Sequence, residues 1–316
     1  MKISYVIPCY HSSKTLPGVI KEIKVNMQKM QNYEYEIVLV NDCSSDNTLD
    51  VIRTLCSENT NIIGISLAKN FGQHAALMAG YRNSSGDIVV SLDDDGQTPA
   101  DEADRLIIKL EEGYDVVYAE YENKRHSFFR NIGSRMNSAM TVTMLDKPKD
   151  LYISSYFAAR RFVIDEIVKY ENPYPYVTGL VLRTTKNICN VKVTHRARVN
   201  GQSGYSFRKL VHLWVNGFTS FSVKPLRFAS VSGVMTAVAG FVYAVWTIIK
   251  KFVYPMAPVG WSSTVAIILI LGGMILFVLG MIGEYVGRIY ICMNKSPQYV
   301  VKEQMNERSS KRTDYE

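Results

Sequence analysis

The sequence predicts an α/β domain with a mostly parallel central sheet, followed by an interfacial helix and a two-helix transmembrane hairpin. Three observations carry this. Strand-like and helix-like patterns alternate over the first ~120 residues, as in parallel sheets. One β-branched run, Val89-Val90-Ser91-Leu92, ends abruptly in Asp93-Asp94-Asp95-Gly96-Gln97. Two long uncharged apolar stretches then fill the last third.

The strands read in order are Ile3–Ile7, Glu36–Val40, Ile62–Ser66, Asp87–Leu92 and Asp115–Tyr118. Each is a short apolar run, the pattern of a strand buried on both faces. Helical periodicity lies between them, near Thr15–Met30, Asp46–Cys56, Gln73–Asn83 and Ala100–Glu111. Ser45-Asp46 and Thr98-Pro99 read as helix starts. Ile153–Ala159 has the composition of a further strand.

Ligands of open parallel sheets bind beyond the carboxyl ends of the strands. That rule gathers Pro8–Tyr10, Asn41–Ser45, Lys69–Gly72 and Asp93–Gln97 around one crevice. Clustered carboxylates repel each other and are costly to bury unpaired. A divalent cation relieves the repulsion, and oxygen ligands suit Mg²⁺ or Mn²⁺ bridging protein carboxylates to substrate phosphates. A solvated acidic turn is the bland alternative for the triplet taken alone.

Phe228–Ile249 and Ser262–Gly283 are each free of charge and long enough to cross a bilayer. Lys250 and Lys251 lie between them. Arg208, Lys209, Lys224 and Arg227 precede them, and Arg288, Lys295 and Lys302 follow. The positive-inside bias places both termini, and the first domain, in the cytoplasm at the cell membrane. Residues 205–227 mix aromatic and basic side chains, read as an interfacial amphipathic segment or an ordinary packed helix. The expected division is 1–204 for the soluble domain, 205–227, spans 228–249 and 262–283, and a cytoplasmic tail 284–316. From Lys302 on, that tail is read as disordered.

The formal net charge is +7, and the basic residues thicken around the apolar stretches, which favours a membrane surface over nucleic acid. The sequence contains no zinc-finger spacing and no RNA-binding signature. The five cysteines form no Cys-x-x-Cys pair, so a reduced, cytosolic setting is expected. Gly233, Ala237, Gly272 and Gly280 allow close helix contacts within or between chains, which leaves a homo-oligomer open.

The motifs taken together resemble family-2 glycosyltransferases of the polyprenyl-phosphate branch. They are Val6-Ile7-Pro8, Asn41-Asp42-Cys43-Ser44-Ser45-Asp46-Asn47-Thr48, Lys69-Asn70-Phe71-Gly72-Gln73-His74 and the Asp-x-Asp-x-Gln element at Asp93, Asp95 and Gln97. Arg198-x-x-Gly201-x-Ser203-x-Tyr205, Pro225-Leu226-Arg227 and Gly283-Glu284-Tyr285-Val286-Gly287-Arg288 continue the series to nearly the whole chain.

The resemblance implies a GT-A-type nucleotide-sugar domain and single inversion at the anomeric carbon. The acceptor implied is undecaprenyl (polyprenyl) phosphate, and the donor a nucleotide-diphosphate sugar. It implies that Pro8, Tyr10 and Asp42 cradle base and ribose, with Lys69 and Asp94 nearby on the donor side. Asp93 stands near the ribose, and Asp95 and Gln97, with Asp93, hold the metal. Arg198 matches a motif position; Arg125, Arg130 and Arg135 are further candidates for the acceptor phosphate, since guanidinium groups bind phosphate bidentately. Asp150 is the candidate for an acidic catalytic position.

Four departures stand out. The usual Asn-Glu-Glu is His11-Ser12-Ser13, and an Arg before Asn-Phe-Gly is Lys69. A Gly-Asp-Phe/Tyr element is Asp150-Leu151-Tyr152-Ile153-Ser154-Ser155, and the Lys of a Gly-x-Ser-Lys-Tyr loop is Gly204. They leave open a second reading, a non-catalytic membrane scaffold that binds nucleotide sugar. A processive polysaccharide synthase is disfavoured, because no Arg precedes Trp214, Trp246 or Trp261.

Overall fold

The first strand, β1 (Lys2–Cys9), is buried along nearly its whole length and lies at the heart of an eight-stranded sheet. The computed structural model describes residues 1–121, 147–148, 150–194, 224–253 and 260–306. The sheet order is β7-β5-β6-β4-β1-β2-β3-β8. β2 (Glu34–Asn41), β3 (Ile62–Leu67) and β4 (Ile88–Ser91) join β1 in a parallel block. Helices α1 (Leu16–Lys29), α2 (Thr48–Glu58), α3 (Gln73–Arg82) and α4 (Ala103–Glu111) alternate with these strands. This is the α/β arrangement read from the sequence. Ile37, Val38, Leu39 and Val40 are all buried, as an interior strand covered on both faces requires.

β1 leads outward to β2 and β3 on one side, and β4 lies on the other. The strand order therefore reverses between β1 and β4, and the two strand ends open a crevice there. Helix α3 lies close to the sheet below this point. A Cβ built on Gly80 would sit 2.4 Å from Val6 Cγ1, so glycine is what lets the helix approach.

The far half is mixed. β5 (Val116–Tyr121) does not pair with β4. β6 (Phe157–Arg160) inserts between them, antiparallel to both, and β7 (Ile188–Val193) runs parallel to β5 at the edge. Helices α5 (Arg161–Val168) and α6 (Val177–Thr184) connect β6 to β7.

The chain divides into two units, Met1–Ser206 with Ser296–Glu316, and Phe207–Lys295. The second contains α7 (Lys224–Val253) and α8 (Trp261–Met293), which contact each other. Both exceed the apolar stretches read from the sequence. α8 runs ten residues past Gly283, where a tail was expected. Among the described residues one helix is long and apolar enough to cross a membrane, over Ile270–Met293, with a mean hydropathy of 1.8 and none of it buried. α7 contributes a shorter apolar stretch, Ala229–Tyr243. Of the interfacial segment 205–227, all but the first turn of α7 lies outside the described residues.

The expectation of disorder from Lys302 is corrected by β8 (Val301–Met305), which pairs antiparallel with β3. Its run of three consecutive polar residues hid it. Lys302, Glu303 and Gln304 are the charged and polar residues that protect an edge strand from pairing with other chains. Arg53 Nη2 donates to Glu303 Oε2 at 2.7 Å, and Asn306 Nδ2 donates to the carbonyls of Cys56, Asn59 and Ile62.

Candidate active site

Four strand ends meet through side chain to backbone bonds. At the end of β1, the Tyr10 amide donates to Asp94 Oδ2 at 2.8 Å across the reversal point. Asp94 is largely enclosed, and burial pushes its carboxyl up to about 6. The Tyr10 ring is half-exposed and stacks on His11, with centroids 4.3 Å apart and planes 14° apart.

His11 takes a left-handed backbone, φ 57°, which costs a non-glycine residue energy and persists only where contacts enforce it. Those contacts come from the end of β2. The His11 amide donates to Ser44 Oγ at 2.9 Å, and His11 Nε2 lies 3.0 Å from Ser45 Oγ. Next along, Ser12 N donates to Thr48 Oγ1 and Ser13 Oγ to Asp46 Oδ2. The substituted His11-Ser12-Ser13 stretch is thus bonded residue by residue to the loop after β2. Cys43, at φ 54°, is the second left-handed non-glycine residue in this cluster.

Asp42 is buried, and its carboxylate accepts from the amides of Phe71 (2.7 Å) and Gly72 (2.8 Å). Burial raises its carboxyl, partly offset by these two donors. Its oxygens therefore organise the loop after β3. Gly72 sits at φ 90°, which suits glycine, and opens α3. In the same loop Lys69 Nζ lies 5.0 Å from the Phe71 ring centroid, in cation–π range.

Gln73, at the start of α3, donates from Nε2 to Asp93 Oδ1 at 2.8 Å. Ser155 Oγ donates to Asp93 Oδ2. Asp93 is thereby held from both sides. Gly96, at φ 72°, turns the acidic loop so that the Gln97 amide donates to Asp95 Oδ1 at 2.9 Å.

Tyr10, Asp42, Asp93, Asp94, Asp95 and Gln97 thus follow the carboxyl ends of β1, β2 and β4, and Pro8 lies at the end of β1. Asp150 is exposed; from its segment it is Ser155 that reaches Asp93. Asn190 holds this segment, accepting from the Tyr152 amide at 2.8 Å and donating to the Tyr152 carbonyl at 2.6 Å. Arg125, Arg130, Arg135 and Arg198 lie outside the described residues. Sequence reasoning missed Gln73 and Ser155 as partners of Asp93. Gln73 stood within a quoted motif, but the β6 insertion that brings in Ser155 leaves no local signal.

Among the described residues no group of three His, Cys, Asp or Glu side chains forms a closed metal site. The donors present are carboxylates and one carboxamide at alternate positions of a single loop. That set fits a hard divalent ion which takes one or two protein carboxylates and completes its shell with phosphate oxygens and water. It does not fit a structural zinc site.

A profile of glycosyl transferase family 2 matches residues 4–168, and one of the GtrB C-terminal hairpin matches residues 224–289. The chain belongs to glycosyl transferase family 2. It is 35% identical over 304 residues to the undecaprenyl-phosphate 4-deoxy-4-formamido-L-arabinose transferase of Proteus mirabilis, covering 95% of this chain and 93% of that protein. In fold it is similar to mannosyl-3-phosphoglycerate synthase from Rubrobacter xylanophilus, at 18% identity and TM-score 0.54, over 68% of this chain and 71% of that one. A mycobacterial protein of known structure is similar at 16% identity and TM-score 0.52, over 70% and 74% of the two chains. The family and its curated relative make this chain a glycosyltransferase, so the scaffold reading falls away.

Proposed function

We propose that this glycosyltransferase moves a sugar from a nucleotide diphosphate to undecaprenyl (polyprenyl) phosphate at the cytoplasmic membrane face, with inversion. The observation that carries the reading is the bonded crevice around Asp93-Asp94-Asp95 in a chain that also carries an apolar helix. The name of the Proteus mirabilis relative supports the acceptor.

In this reading Tyr10 and its stack on His11 face the base, and Asp42 acts through the Lys69–Gly72 loop that it organises. Lys69 supplies positive charge on the donor side. Asp93 is oriented by Gln73 and Ser155 toward the ribose. Asp95 and Gln97, with Asp93, would hold Mg²⁺ or Mn²⁺, and the ion would supply positive charge against the diphosphate. The chain's own residues orient the donor and keep the acidic loop in one conformation, the positioning on which transfer to a ready nucleophile depends.

A phosphate monoester is largely dianionic at neutral pH, so it attacks without surrendering a proton. Cationic placement replaces a strong base, and Arg125, Arg130, Arg135 and Arg198 are the proposed phosphate ligands. Asp150 is the proposed acid of the loop before β6. α7 and α8 form the membrane hairpin, residues 205–227 lie in the interface, and both termini are cytoplasmic. Catalysis resides in 1–204.

An Asp95→Ala protein that retains wild-type thermal stability should lose sugar transfer by at least about a hundredfold, the scale of removing one preorganised electrostatic group. Equal transfer by wild type and variant refutes the assignment.

A further inference from the structure

The stretch Ile270–Met293 of α8 contains one acid and one base, Glu284 and Arg288. Arg288 donates from Nε to Glu284 Oε1 at 2.9 Å, and its Nη2 lies 2.7 Å from the same oxygen. Four residues apart, the two side chains share one helix face. The Arg288 side chain is 14% exposed and that of Glu284 45%. A charged pair in an apolar helix needs a reason, since charges are expensive in a bilayer.

Helix length fixes the depth of this pair. The uncharged residues of α8 before the pair, Trp261 to Gly283, extend about 35 Å at 1.5 Å per residue, enough to cross the hydrocarbon thickness of about 30 Å. That register places Glu284 and Arg288 among the headgroups. Sliding the helix until Ile270–Met293 fills the core buries both charges, at roughly 3 kcal/mol each on insertion scales. The headgroup register wins. Tyr290, which is exposed, then lies in the interfacial layer, where amphipathic aromatic side chains settle.

Lipid phosphates occupy that same layer. As a pair, Glu284 and Arg288 are neutral. A phosphodiester headgroup carries one charge and gains little from a guanidinium already satisfied by a carboxylate. A phosphate monoester carries close to two charges and three strong acceptor oxygens, and so competes with the carboxylate for the planar fork.

We propose that Arg288 binds the phosphate of a polyprenyl monoester, and that Glu284 is a latch which orients the guanidinium until the lipid displaces it. Arg288 has this role only if polyprenyl phosphate is the acceptor, as proposed above.

The test uses the full-length protein in nanodiscs, with undecaprenyl phosphate binding read by native mass spectrometry and lipid KM read from transfer. R288Q should weaken lipid binding and raise lipid KM by about tenfold, the scale of one charge-assisted bond, with donor affinity and thermal stability unchanged. E284Q should bind the lipid as well as wild type or better, because it removes the competitor. R288K should fall between wild type and R288Q. A purely structural ion pair predicts the opposite pattern, in which R288Q and E284Q lose binding and stability equally; that result overturns the proposal. Equal loss of phosphatidylglycerol binding in R288Q also overturns it, in favour of a general headgroup contact. Wild-type protein that neither binds undecaprenyl phosphate nor transfers to it refutes the acceptor reading itself. Wild-type binding that R288Q leaves intact refutes only the role of Arg288.

Discussion

The carboxylate of Asp94 accepts the backbone amide of Tyr10 at 2.8 Å, joining the ends of β4 and β1 where the strand order reverses. The middle acid of the triplet thus faces inward and secures the crevice, while Asp93 and Asp95 take other partners. Asp94→Ala removes the acceptor of the Tyr10 amide and the bond that joins the two strand ends. The donor dissociation constant should rise about tenfold, the scale of one lost bond to a charged group. Asp94→Asn keeps an acceptor oxygen and should stay within about threefold of wild type. Calorimetric titration of the nucleotide into both variants decides it.

Asp42 should prove a stability residue as much as a donor-site one. Asp42→Ala orphans the amides of Phe71 and Gly72, and each buried unsatisfied donor costs about 1–3 kcal/mol. Urea unfolding of the variant should show a loss of about 2–4 kcal/mol together with weakened nucleotide binding. Unchanged stability would remove Asp42 as the organiser of the loop.

His74 gives the fold a pH dependence. Its Nδ1 is enclosed without a partner among the described residues, and burial pushes its pKa down to about 4 from 6.5. The folded state then binds fewer protons than the unfolded one between those values. Stability is full above about pH 6.5 and declines as pH falls toward 4, by roughly 3 kcal/mol in all. His74→Gln should flatten that slope, read as melting temperature across pH 4–7.

β8 should matter far more than its one exposed ion pair. Arg53→Ala removes the contact to Glu303, and exposed pairs are worth about 0–1 kcal/mol. Ending the chain at Lys295 strips the antiparallel partner from β3 and leaves an open sheet edge. The truncated protein should aggregate and melt at lower temperature, whereas the Arg53 variant should behave as wild type in light scattering.

Much of this molecule is legible in its sequence because the parallel block is written in local runs. Ile3–Ile7, Glu36–Val40 and Ile62–Ser66 announce themselves by burial on both faces, and their ends name the crevice. β7 and β8 do not, and β6 (Phe157–Arg160) shows only as the strand composition of Ile153–Ala159. What no local pattern records is the place of β6 between β4 and β5, a long-range pairing, and it is this insertion that carries Ser155 to Asp93. Lys302-Glu303-Gln304 resembles a solvated tail because edge strands resist pairing through charge. At the candidate site, the sequence offers the acids as a group but not the separate partners each takes. Which of Asp93, Asp94 and Asp95 turns inward depends on the turn at Gly96 and on the backbone of Tyr10, neither of which a residue pattern records.

The central claim is tested most directly by offering the full-length protein undecaprenyl phosphate, Mg²⁺ or Mn²⁺ and a panel of nucleotide sugars, with lipid products read by mass spectrometry. A lipid-phosphate-sugar species that appears with one donor and vanishes with EDTA is the predicted result. Nucleotide binding without product from any donor would contradict it.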